Sequence, residues 1–160
     1  MYQRILVPVD GSATSDAGLS EAIKLAKLTG ASLQVLHVVD GVTALMSGEG
    51  YVSGDVFEIL KQAGQSVLDE ARMKVDAAGI PVDTALFDDL SHRLSDRVAE
   101  QVKEWDADLI VLGTHGRRGV RRMLLGSDAE QIVRTATVPV LLVRGTDIET
   151  AQTASTLEAT

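Results

Sequence analysis

The sequence predicts an α/β fold, a single domain built on an open parallel five-stranded sheet with helices on both faces. Short apolar runs rich in β-branched residues alternate along the chain with segments of helical periodicity, which is the pattern of crossover units. These runs are almost continuously apolar, as strands covered on both faces require. The length of 160 residues and the hydrophobic fraction of 45% suit one globular domain with its own core.

The first half of the chain contains three predicted strands and two predicted helices. The strands are residues 4–9, 32–39 and 82–87. After the turn Asp10-Gly11-Ser12, apolar residues recur at helical spacing up to Gly30, which is suited to end a helix in the left-handed conformation. Residues 40–54 are rich in glycine and predict a long loop whose role we leave open. A long helix follows, and Gly79 and Pro81 end it.

The second half repeats the alternation. A third helix, with Ser91 as its candidate N-cap, leads to a strand at residues 108–112 and a glycine-rich turn at 113–126. A short helix then carries one apolar face, formed by Ala129, Ile132, Val133 and Ala136. The fifth strand runs from Val138 to Val143. We expect residues 1–145 to form the domain and residues 146–160 to be a polar, flexible tail.

Composition narrows the classes of function. A net charge of -8 argues against a general nucleic-acid binder, because phosphate backbones need compensating positive charge. Four arginines nevertheless fall between residues 117 and 122, and such a local cluster suits a small anion. There is no cysteine, no targeting segment at the start and no apolar run long enough to cross a bilayer, so we expect a cytoplasmic protein without membrane contact.

The turn between Gly113 and Ser127 is the strongest candidate for a binding site. Ligands of open parallel sheets bind beyond the carboxyl ends of the strands, and this turn follows a predicted strand and leads into a helix. Glycines let the backbone approach a phosphate, while the free N–H groups and dipole of a helix start favour an anion. The alternative is structural: the glycines only make turns and Ser127 only caps the helix.

Several well-known motifs are absent. No segment reads G-x-x-x-x-G-K-[ST], which excludes a P-loop enzyme, and no G-x-G-x-x-G follows the first strand. No G-x-S-x-G nucleophile elbow is present, and no pair of carboxylates is convincingly placed. We therefore assign no catalytic residue.

The spacing Gly113-x-x-Gly116-x9-Gly126-Ser127 resembles the ATP-binding signature of the universal stress protein family. The opening Arg4-Ile-Leu-Val-Pro-Val-Asp-Gly-Ser12 is similar to the first strand and turn of that family. His37-Val-Val39, Asp108-Leu-Ile-Val-Leu-Gly-Thr-His-Gly116 and Pro139-Val-Leu-Leu-Val-Arg144 resemble later family segments. The resemblance covers about residues 1–145, in order and at family spacing.

The resemblance implies a Rossmann-like fold of the adenine nucleotide alpha hydrolase type, which holds ATP between the ends of strands one, two and four. The residues that match nucleotide-contacting positions are Pro8, Val9, Asp10, Val38, Leu112, Gly113, Gly116, Gly126, Ser127, Asp128 and Ala129. It also implies a homodimer formed through the edge strand from Val138 to Val143.

Asp128 departs from the family pattern, in which a small apolar residue is common here. Its carboxylate would repel a phosphate, hold Mg²⁺ against one, or face solvent and complement the positive helix end. Asp88 and Asp89 likewise stand where a glycine is common. We expect an ATP-binding regulatory protein of the stress response; a slow Mg²⁺-dependent ATPase and a nucleotide-independent dimeric interaction module are the alternatives.

Overall fold

A computed structural model describes residues 1–40, 54–88, 91–114 and 125–145. Within these ranges strands and helices alternate in the predicted order. The strands are β1 (Arg4–Pro8), β2 (Ser32–Val38), β3 (Val82–Phe87), β4 (Leu109–Gly113) and β5 (Val140–Val143). The helices are α1 (Ala13–Thr29), α2 (Gly54–Ala77), α3 (Leu94–Glu104) and α4 (Ser127–Thr135). The predicted tail at 146–160 and most of the predicted loop at 40–54 lie outside the described residues.

The five strands form one parallel sheet in the order β3-β2-β1-β4-β5, which confirms the predicted fold class. β1 lies in the centre, where Leu6 is in register with Gln34 of β2 and Ile110 of β4. The chain runs outward from β1 through β2 to β3 and then returns to the other side of β1 for β4. The carboxyl ends of β1 and β4 therefore flank the point at which strand order reverses.

Helices cover both faces of the sheet because successive strand residues point to opposite sides. On one face Ile5 and Leu33 pack with α1 and α2 in a core that includes Leu19 and Leu68. The other face packs against α3 and α4. That second core includes Leu6, Ile110, Val98 and Ile132.

Local hydrogen bonds explain where two of the helices begin or end. The Ser12 hydroxyl accepts a hydrogen bond from the Ser15 N–H (3.1 Å) at the start of α1, and Gly30 ends that helix with a φ of +74°. The N-cap predicted at Ser91 is wrong. α3 begins after Arg93, which is its N-cap. The Arg93 N–H donates to the carboxylate of Asp96, the third residue of the helix, at 3.2 Å.

Other boundaries differ from the prediction by one or two residues. β5 begins at Val140 rather than Val138, since Pro139 has no N–H and contributes only its carbonyl, which accepts from the Ile110 N–H at 3.0 Å. The sequence predicts Val133 on the apolar face of the last helix, but this residue is 42% exposed. None of the helices in the described ranges has the length and apolar character needed to span a membrane.

Candidate functional site

Three predicted site segments meet at the carboxyl edge of the sheet. Val9 and Asp10 follow β1, Val38 closes β2, and Gly113 closes β4. These three strands are neighbours in the sheet, so their ends form one continuous edge. Pro8 and Leu112, also in the predicted set, are buried within β1 and β4.

Asp10 organises the turn between β1 and α1. Its carboxylate accepts a hydrogen bond from the Ser12 N–H at 2.9 Å, and its own N–H donates to the Ser15 hydroxyl at 3.0 Å. These hydrogen bonds give Asp10 a structural role at the start of α1. It also holds the half-buried Asp10 side chain in one orientation at the edge.

A buried histidine holds the end of β1 against β2. The His37 Nδ1 donates to the Val9 carbonyl at 2.8 Å, since a carbonyl can only accept. The helix α2 packs closely over this ring because residue 64 is glycine. A Cβ at this position would lie 2.6 Å from the His37 Cδ2. The Val9 carbonyl is therefore held by a side chain of β2 whose ring is covered by α2.

The backbone of Val38 is directed toward the end of β1. The Val39 N–H donates to the Phe87 carbonyl on the β3 side at 2.8 Å. Because successive residues of a strand direct their N–H and C=O groups to opposite neighbours, those of Val38 point to the β1 side. β1 ends at Pro8, which is in register with Leu36, so Val38 lies beyond the last residue of β1.

Gly113 is required by the packing of α1. A Cβ at this position would lie 2.4 Å from the Thr14 carbonyl oxygen in the first turn of α1. Such a contact is impossible without moving backbone, so the helix reaches the end of β4 only because residue 113 is glycine. The fold thus accounts for Gly113 whether or not a ligand binds.

Gly126 differs from Gly113 because the described part of the fold does not need a glycine there. Its φ of -58° is open to any residue, and among the described residues a Cβ would meet only the Thr114 carbonyl oxygen, at an ordinary 3.5 Å. The Gly126 N–H donates to that same oxygen at 2.9 Å, which ties the start of α4 to the end of β4. The second glycine of the signature, Gly116, lies outside the described residues.

Among the described residues, no side chain caps the start of α4. Gly126 is the N-cap and Ser127 is the first helical residue, so Ser127 does not cap the helix as the structural alternative proposed. The backbone N–H groups of the first turn have no intrahelical acceptor. Ala129 and Ile132 are buried in the core and orient the helix so that its positive end lies at the carboxyl edge.

Asp128 lies in this first turn among other charges. Asp128 is exposed. Partial desolvation of its carboxyl group and the carboxylates of Asp40 and Asp10 raise the pKa of Asp128, and the Arg93 guanidinium partly opposes them. Asp40 and Arg93 were absent from the predicted site set. Asp40 could have been predicted as a site residue, because it directly follows a predicted strand as Asp10 does. No feature of the sequence indicates Arg93.

Asp88, whose role the sequence left open, is tied to α2. Its carboxylate lies 2.8 Å from the Lys61 ammonium. This hydrogen-bonded ion pair lowers the pKa of Asp88 and raises the pKa of Lys61. Across residues 1–40, 54–88, 91–114 and 125–145, no group of three or more histidines and carboxylates is placed to hold a metal ion.

Comparisons of this chain with known proteins indicate one family. The model of the universal stress protein family matches residues 1–144. Universal stress protein MJ0531 of Methanocaldococcus jannaschii is 32% identical over 145 residues, which cover 90% of this chain and 83% of that protein. Universal stress protein YxiE of Bacillus subtilis is 30% identical, and the match covers 90% of this chain and 100% of YxiE.

Solved structures share the fold. The structure of hypothetical protein MJ0577 superposes with a TM-score of 0.78 at 22% identity and covers 92% of this chain and 99% of its own. Two similar structures contain nucleotides. A universal stress protein from Archaeoglobus fulgidus in complex with dAMP (TM-score 0.65, 23% identity) covers 89% of this chain and 98% of its own. A universal stress protein in complex with cAMP (TM-score 0.64, 24% identity) covers 91% of this chain and 98% of its own.

Proposed function

Because this chain belongs to the universal stress protein family, we propose that it is an ATP-binding regulatory protein of the stress response. The nucleotide lies along the carboxyl edge, with its base at Val38, its sugar at Asp10 and Gly113, and its phosphates at the start of α4. Relatives of the same fold are known in complex with dAMP and cAMP, which supports an adenine nucleotide. We place the protein in the cytoplasm.

One observation carries this proposal. Gly126 stands at the start of a helix that no side chain of the described residues caps, and neither its φ nor its packing against those residues requires glycine. A side chain there would extend over the free N–H groups of the first turn, where an anion is favoured by hydrogen bonds and by the helix dipole. A ligand that approaches the backbone is the physical reason for glycine at this position.

Calorimetric titration with ATP and Mg²⁺ tests the proposal on protein stripped of co-purified nucleotide. We expect saturable binding to the wild type and a loss of about tenfold to hundredfold in Gly126→Val, because charge-assisted hydrogen bonds to the phosphates are lost. The Gly116→Val, Gly126→Val double variant should bind ATP no more tightly than Gly126→Val does. Circular dichroism establishes that each variant is folded.

Adenosine serves as the control ligand because it has no phosphate. It should bind wild type and Gly126→Val equally, whereas an equal loss for adenosine would mean that the valine disturbs the whole edge. Absence of ATP binding by the wild type would contradict the proposal. Product analysis of the titrated sample then tests turnover, since ADP or AMP released in proportion to protein would indicate the ATPase instead.

We further propose a homodimer that pairs through β5. This strand is the sheet edge beside β4, and its Leu141 and Leu142 side chains are each 38% exposed. Next to it lies a cavity of 300 Å³ lined by apolar side chains, among them Tyr2, Leu25 and Leu109. An apolar edge strand favours pairing with another chain, and a second copy would cover both features.

Light scattering should give twice the chain mass of 17.0 kDa for the wild type. Leu142→Lys should shift the mass toward the monomer, because a charge would have to be buried at the interface. Met73→Lys is the matched control, since Met73 is 70% exposed on α2, which packs against β2 and β3 rather than β5. A monomeric wild type, or equal masses for all three proteins, would overturn this dimer.

A further inference from the structure

The hydrogen bonding between β1 and β2 ends at a side chain. The two strands are in register as far as Pro8 and Leu36, and the Val9 N–H still donates to the Leu36 carbonyl at 2.8 Å. In a regular parallel pair the next hydrogen bond would run from the Val38 N–H to the Val9 carbonyl. Among the described residues, that carbonyl accepts instead from the His37 Nδ1, at 2.8 Å.

The packing around His37 holds its ring in this position. The residue is only 7% exposed and lies beneath α2. A Cβ at Gly64 would lie 2.6 Å from the His37 Cδ2, 2.9 Å from its Nε2 and 3.2 Å from the Leu86 Cδ1. Leu86 is the register partner of His37 in β3. Because α2 and β3 both pack against the ring, it has little room to turn away from the Val9 carbonyl.

This arrangement determines what the end of β2 presents to a ligand. The Val39 N–H donates to Phe87 on the β3 side, so the N–H and C=O of Val38 both point toward the β1 side. No residue of β1 lies opposite them, and the Val9 carbonyl is engaged by the His37 ring. An adenine ring is complementary to such a pair, because its amino group donates and the ring nitrogens on either side accept.

We propose that His37 is a positioning residue for recognition of the base. Its ring takes the Val9 carbonyl, which would otherwise accept from Val38, and so leaves the Val38 N–H for a ring nitrogen of adenine. His37 acts through the backbone and does not itself contact the nucleotide. The inference rests on the proposed nucleotide site and concerns how β2 recognises the base there.

Amide hydrogen exchange followed by NMR tests the structural part without any ligand. In nucleotide-free wild type the Val38 N–H should exchange at least about tenfold faster than that of Leu36, which lies in the paired part of β2. His37→Leu removes the donor, so the Val38 N–H should bond to the Val9 carbonyl and exchange about tenfold more slowly. His37→Asn keeps a side-chain N–H close to the place of Nδ1 and should leave this exchange as fast as in wild type.

Calorimetry with ATP, 1-deaza-ATP and 7-deaza-ATP tests the recognition of the base. Each analogue replaces one of the ring nitrogens beside the amino group with carbon. Wild type should bind one of the two analogues about tenfold more weakly than ATP, because one hydrogen bond is lost. His37→Leu should bind ATP about tenfold more weakly and treat ATP and that analogue alike within about twofold. His37→Asn should restore the difference.

Val35→Ala is the matched control for lost packing. Val35 is fully buried two residues earlier in β2, and its truncation destabilises the core without removing the donor to the Val9 carbonyl. This variant should keep the tenfold difference between ATP and the analogue. Loss of that difference in Val35→Ala would mean that His37 only stabilises the fold.

The outcomes separate this inference from the proposed function. Slow exchange of the Val38 N–H in wild type, or equal affinity of wild type for all three nucleotides, would overturn the role of His37 and leave the nucleotide site standing. The same holds if His37→Leu still distinguishes ATP from the analogue. If wild type binds no adenine nucleotide, the proposed function fails, and exchange at Val38 still measures the effect of His37 on the strand.

Discussion

Replacement of Gly113 by alanine should lower the free energy of unfolding by about 2 to 3 kcal/mol. The added Cβ would lie 2.4 Å from the Thr14 carbonyl oxygen and 2.7 Å from the Thr14 carbonyl carbon. Both are backbone atoms in the first turn of α1, so no side-chain rotation relieves the contact. Either α1 or the end of β4 must move, and the cores that they share must loosen.

Gly126→Ala is the matched control, since it adds the same methyl group 13 residues later in the glycine signature. Within the part of the chain that the structure describes, its Cβ would meet only the Thr114 carbonyl oxygen at 3.5 Å, and its φ of -58° suits alanine. The stability change should stay within about 1 kcal/mol, which is the usual difference between glycine and alanine at a helix N-cap. Urea denaturation followed by circular dichroism measures both variants, and equal losses would contradict the packing role of Gly113.

Truncation of Ile132 to alanine is expected to destabilise the protein by about 3 kcal/mol. Ile132 is 1% exposed and packs α4 against the second core, beside residues such as Ile110 and Val98. Its loss removes buried apolar surface and leaves a cavity under the helix that presents the proposed phosphate site. Thermal and urea unfolding give the stability, and ATP titration should show weaker binding, because the start of α4 is held less firmly.

The adjacent Val133 provides the control for this truncation. Val133→Ala also removes a β-branched side chain from α4, so both variants gain helix propensity, but Val133 is 42% exposed. Its stability should change by less than about 1 kcal/mol. A loss in Val133→Ala as large as that in Ile132→Ala would mean that α4 is stabilised by its helix propensity rather than by its packing.

The family motifs predicted the general position of the candidate site better than they predicted the role of each residue. Gly113 and Gly126 belong to one spacing pattern in the sequence, yet the packing of α1 requires the first and nothing in the described fold requires the second. Asp10 stabilises the turn before α1, where its carboxylate accepts a hydrogen bond from the Ser12 N–H. Arg93, which acts on Asp128, is the N-cap of α3 and lies two residues after the predicted cap at Ser91.

Local periodicity and motifs a few residues long were enough to predict the alternation of strands and helices, the parallel sheet and the family. The charges that surround Asp128 depend instead on how distant segments pack together. Asp10 and Asp40 are separated from it by 118 and 88 residues, and the order β3-β2-β1-β4-β5 brings their strand ends to the same edge. Contacts of this kind depend on packing between distant segments, and no local pattern in the chain encodes them.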